Sequence, residues 1–171
     1  MNILSLLIVG ATLLLQGCSY AISPEVTRTA DRTVTFDKFQ AEPSSYKGKT
    51  VIFGGLIVQT RSVKTGTLIE IDQKDLDYWG KPRRTDRIGG RFIVHQPRYL
   101  DILVYAPGRE ITVAGEVSGT EEKSLAESGE PYPLVNAREV KLWPREKPAR
   151  ERPSFLDPLH DPSTPQDKFG Y

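Results

Sequence analysis

The chain has 171 residues, 38% of them hydrophobic, a formal net charge of +1 and one cysteine. That length predicts one domain, two at most. The balanced charge offers no basic face for nucleic acid, and a single cysteine excludes an internal disulfide or a zinc site built on several thiolates.

Ile3 to Leu15 form an uncharged apolar run of about 13 residues. Crossing a bilayer takes about 20. The run therefore fits the core of a cleavable signal peptide over residues 1–17. Leu15-Gln16-Gly17-Cys18 follows at once and resembles the lipobox of bacterial lipoproteins, an aliphatic residue and two mostly small ones before the lipid-accepting cysteine. Gln16 is larger than that pattern usually carries, and Met1-Asn2 brings no basic side chain. The competing reading is an ordinary anchor helix with a chance cysteine. The chain's only cysteine stands where a lipobox requires it, which favours lipidation at Cys18. Ser19 follows in place of Asp, and by resemblance to Gram-negative lipoproteins this implies the outer membrane.

Residues 18–33 are polar with little periodicity and read as a lipidated, disordered tether. Thr35 is a candidate cap for a helical turn that puts Phe36 and Phe39 on one face. Pro43 ends it. Thr50 to Thr60 is a strand rich in β-branched residues, with Gly54-Gly55 allowing a bend or bulge, as at the corner of a small barrel. Ser62 to Gly66 reads as a hairpin turn. Thr67 to Asp72 alternates Ile69 and Ile71 with Glu70 and Asp72, so one face should be buried.

Asp75 to Gly90 is a charged excursion containing Tyr78, Trp79 and Pro82. Arg91 to His95 is the next strand, and Pro97 to Gly108 a loop. Glu110 to Ser118 sets Ile111, Val113, Gly115 and Val117 on one face and Thr112 and Glu116 on the other. Gly119 to Pro133 is a charged loop, and Leu134 to Trp143 closes the sheet. Pro144 and five further prolines then punctuate a polar stretch, whose tail is residues 145–171. The fold class is all-β: a small antiparallel OB-like barrel of five or six strands over residues 34–144, with a β-sandwich as the alternative.

Several stretches in this order resemble the Slp family of outer-membrane lipoproteins, named for a starvation-inducible member. They are Tyr46-Lys47-Gly48-Lys49-Thr50-Val51-Ile52-Phe53-Gly54-Gly55, the segment from Asp75-Leu76-Asp77 to Lys81-Pro82, and Gly90-Arg91-Phe92-Ile93. Tyr99-Leu100-Asp101, Tyr105 to Gly115, and Tyr132-Pro133-Leu134-Val135 to Leu142-Trp143 complete the set. The resemblance spans roughly residues 35 to 144. It implies a β-rich periplasmic domain and Cys18 as the lipid site, and it brings no catalytic residue.

Asp72, Asp75, Asp77 and Asp86 invite a calcium reading. Lys74, Lys81, Arg83, Arg84 and Arg87 interleave with them, so a solvated loop of compensating charge is the expectation. His95 and His160 are too far apart in sequence to suggest a metal pair. No G-x-S-x-G or phosphate-loop motif occurs. Tyr78, Trp79, Tyr99 and Tyr105 are candidates for an aromatic ligand face. Arg91 and Arg109 are candidates for structural ion pairs, or for contact with lipid head groups or glycan.

The expectation is a non-enzymatic, periplasm-facing envelope lipoprotein with no metal, cofactor or nucleic-acid partner. The membrane is its partner through Cys18, and an envelope protein or glycan is a further candidate. A small-ligand or glycan module is the second reading. The third is an envelope hydrolase, which would need carboxylates among Glu70, Asp75, Asp77 and Asp86 to converge in a cleft.

Overall fold

The computed structural model describes residues 20–121 and 132–145. Five strands form one closed barrel: β1 (Thr50–Val63), β2 (Gly66–Lys74), β3 (Arg91–Gln96), β4 (Glu110–Glu121) and β5 (Tyr132–Leu142). Their order around the barrel is β1-β2-β3-β5-β4, with β4 returning to β1. Four of the pairings are antiparallel. The barrel expected from sequence was wholly antiparallel, and here it needs correcting. β3 and β5 run parallel, through Ile93–Leu134, Val94–Val135 and His95–Asn136. Side-chain alternation marks a strand and its buried face, but not the direction of its neighbour.

β1 serves two partners. Thr50 to Leu56 pairs with β4, and Gly54 to Val63 pairs with β2. The changeover lies at Gly54-Gly55, where both neighbours press close. A Cβ on Gly55 would stand 1.9 Å from the Asp72 carbonyl oxygen, so only glycine fits. A register shift follows between Ile57 and Gln59. The glycine pair thus stands where β1 passes from one neighbour to the other.

The interior holds Val51, Phe53, Ile57, Ile69, Ile71, Phe92, Val94, Ile111, Val113, Val117 and Val135. Helix α2 (Phe36–Ala41) packs onto it. The Thr35 hydroxyl caps α2 by accepting from the Lys38 amide at 3.5 Å. Phe36 and Phe39 point inward and meet Phe53 and Phe92. Phe36 lies edge-on to Phe53 at 5.3 Å, and Phe39 stacks on Phe53 at 5.3 Å.

The disordered tether expected over residues 18–33 also needs correcting, for its described part. From Tyr20 onward the chain packs on the barrel. Ile22 and Val34 are buried. Ser23 caps helix α1 (Pro24–Thr29) and binds Glu139 of β5 twice, its backbone N–H donating at 2.8 Å and its hydroxyl donating to the other carboxylate oxygen. The Asp31 amide donates to the Thr50 carbonyl at 2.8 Å. These partners lie far away in sequence, so no local periodicity announces them.

Asp31 also gives a pH handle. Its carboxyl is held down from 3.8 to about 2, first by the Thr33 hydroxyl at 2.6 Å, then by the Thr33 amide and Lys49. A depressed folded pKa adds stability above the unfolded value, and this is lost as pH falls through the folded one. Asp31→Asn should therefore lower the thermal midpoint above pH 4, and the gap from wild type should narrow as pH falls from 3.8 towards 2. Melting curves across that range would check it.

Candidate functional site

The loop between β2 and β3 is short of regular structure but tightly held. Asp77 organises it, its carboxylate accepting from the amides of Trp79 at 2.9 Å and Lys81 at 2.8 Å. Gly80 turns the chain at φ 81°, and Leu76 bridges to Pro82. The loop is then fastened to the barrel wall. The Thr112 hydroxyl of β4 donates to the Gly80 carbonyl at 2.6 Å and accepts from the Trp143 indole N–H at 3.0 Å. Lys81 pairs with Glu110 at 3.2 Å. This explains why Thr112, which alternation assigns to the outer face, is fully buried.

The fastened loop pushes two aromatic side chains outward. Tyr78 is 79% exposed and Trp79 50%, and they meet edge to face at 5.2 Å. Tyr20 joins them. It is 52% exposed, with its ring 6.1 Å from that of Trp79. An open hollow of about 400 Å³ lies among these rings, with Arg32 and Thr112 also on its wall. A smaller one of about 210 Å³ lies between Tyr20, Ile22 and Arg28.

Of the four aromatic candidates, only Tyr78 and Trp79 come together. The Tyr99 hydroxyl donates to the Lys64 carbonyl at the β1–β2 turn, at 3.1 Å. Tyr105 is half-buried against the core. The third member of the cluster, Tyr20, escaped sequence reasoning because its surroundings looked like tether. Its one signal was an aromatic residue two positions after Cys18.

The acidic candidates have other roles. Glu70 and Asp72 both bind Arg91, at 2.6 and 2.7 Å. The Asp72 hydrogen bond is the main influence raising the Arg91 pKa. Asp77 is committed to its own loop. Asp75 lines a shallow hollow with Arg87, and neither Glu70, Asp77 nor Asp86 shares it. Among the described residues no three His, Cys, Asp or Glu side chains are grouped to hold a metal. His95 Nε2 lies 3.0 Å from the Thr65 hydroxyl. Arg109 donates to the carbonyls of Val104 and Trp143, at 2.9 and 2.7 Å. His160, Cys18 and the Pro-rich tail beyond Arg145 lie outside the described residues.

The family model described as "Outer membrane lipoprotein Slp family" matches residues 15–167, which take in Leu15-Gln16-Gly17-Cys18 and all five strands. The chain belongs to the Slp family. It is also similar to the outer membrane protein Slp of Escherichia coli, with 27% identity over 80% of this chain and 73% of that protein. An uncharacterized protein of Haemophilus influenzae is 32% identical over 56% of this chain and 52% of its own length. Among solved structures, a small single-stranded DNA-binding protein of Streptomyces coelicolor matches with a TM-score of 0.37 and 16% identity. That match covers 56% of this chain and 93% of the other. So loose an overlap carries no argument about function. Slp family membership supports an outer-membrane lipoprotein.

Proposed function

We propose that this Slp family member is a non-enzymatic envelope lipoprotein, held on the outer membrane by lipid on Cys18 with its barrel facing the periplasm. Residues 1–17 are the cleaved signal, residues 34–144 the barrel domain and residues 145–171 a Pro-rich tail. The observation that carries the reading is the match of the family model across Leu15-Gln16-Gly17-Cys18. One myristoyl-sized chain binds membrane with a constant near 10⁴ M⁻¹, about 5.5 kcal/mol, and reversibly. Several acyl chains on one cysteine make the attachment long-lived. The structural duties of Glu70, Asp72 and Asp77 support a role without catalysis, and a part in the starvation response follows the character of the family's namesake.

Cys18→Ser should abolish incorporation of a palmitate analogue and release the protein from the outer-membrane fraction of a density gradient. A serine variant that still carried the label would end the Cys18 account. Protease added to intact cells should leave the barrel uncut, and added to cells with permeabilised outer membranes should digest it. Cleavage in intact cells would place the barrel on the cell surface instead.

A further inference from the structure

We infer that Tyr20, Tyr78 and Trp79 form a membrane-contact face that lays the barrel directly on the leaflet holding its lipid. This rests on the reading of Cys18 as the anchor. Tyr20 is two residue steps from Cys18, with Ser19 alone between them, which at full extension is about 7 Å. The described structure begins at Tyr20 and packs immediately, with Ile22 buried and Ser23 bound to Glu139. The anchor therefore lacks the slack to hold the barrel away from the bilayer. Whatever surface surrounds Tyr20 meets the headgroups.

That surface is suited to them. Tyrosine and tryptophan concentrate at membrane–water interfaces, where the ring enters the apolar boundary and the polar edge stays hydrated. Three such rings lie together here, with their neighbours at 5.2 and 6.1 Å. Tyr78 and Trp79 are displayed by a loop that Asp77, Thr112 and the Lys81–Glu110 pair hold in shape, so little ordering is left to do on contact. Arg28 and Arg32 each line one of the two hollows that Tyr20 borders, and supply cations for lipid phosphates. Asp31, next to Arg32, is already paired with Lys49 at 3.2 Å. The other exposed apolar stretch, Ile102 to Val104, has no such link to the anchor.

The test uses the full lipidated protein in vesicles of phosphatidylethanolamine and phosphatidylglycerol whose acyl chains carry bromine, a short-range quencher of tryptophan. The chain has two tryptophans. Trp143 is half-buried and bound to Thr112, so comparing wild type with Trp79→Phe isolates Trp79. The expected result is quenching in wild type that is lost in Trp79→Phe. The double variant Tyr20→Ser/Tyr78→Ser, both sites being exposed, should keep the label and the fold and lose much of the quenching. A protein that carries the palmitate label but shows no Trp79 quenching overturns the contact face and leaves the anchor standing. A protein without the label overturns both. An emission shift of Trp79 on adding soluble muropeptides, with none on vesicles, makes this a glycan surface and also overturns the proposal.

Discussion

Phe39→Ala should lower the free energy of unfolding by about 3–5 kcal/mol. Phe39 is fully buried. It stacks on Phe53 at 5.3 Å and meets Phe36 edge-on at 5.9 Å. Helix α2 has six residues, too few to persist by its own hydrogen bonds. It is held to the barrel by its two phenylalanines. Truncating one leaves a void among Phe36 and Phe53 that the rigid strands cannot collapse to fill. The ring of Phe36 does not compensate, since its own contacts run through the same cluster. Urea unfolding would measure the loss. Asp37→Ala on the exposed side of the same helix is the control and should stay within about 0.5 kcal/mol of wild type. A loss at Phe39 below about 1 kcal/mol would mean that α2 is an ornament on the barrel and not part of its core.

That helix was legible because all its signals are local. Thr35 caps it, Phe36 and Phe39 share a face, and Pro43 follows. The strands were legible for the same reason, and Gly54-Gly55 stands where β1 changes partner. What escaped depends on contacts across the fold. The parallel β3–β5 pair is invisible to alternation. Tyr20 to Thr33 looked like tether because the partners of Ser23 and Asp31 are Glu139 and Thr50. The candidate site divided along the same line. Tyr78 and Trp79 stood out as aromatics in a charged loop and do lie side by side. Tyr99 and Tyr105 had the same composition signal, but the fold sends them to a hairpin turn and to the core. Glu70 is the sharpest case. Its place in the alternation assigned it to the open face of β2, yet it is 1% exposed.

Arg91→Met should cost about 3–5 kcal/mol because it strands that buried carboxylate. Arg91 lies directly across from Asp72 in the β2–β3 register, and reaches along β2 to Glu70. Its Nη1 stands 2.6 Å from Glu70 Oε1 and its Nε 2.7 Å from Asp72 Oδ1. Glu70 has no water to turn to once the guanidinium is gone, whereas the Asp72 side chain is 22% exposed and can rehydrate. Asp72→Asn should therefore cost less, about 1 kcal/mol. A neutral pair removes the stranded charge, so Glu70→Leu/Arg91→Met should recover most of what the single substitution loses. Thermal and urea unfolding of the three variants would settle the order. The result also decides what Arg91 is for. Sequence alone left it open between an ion pair and a contact for head groups or glycan. A large single loss with recovery in the double variant makes it a strut for β2 and β3. A loss below about 1 kcal/mol would mean the pair contributes little, and would return Arg91 to the surface available for ligands.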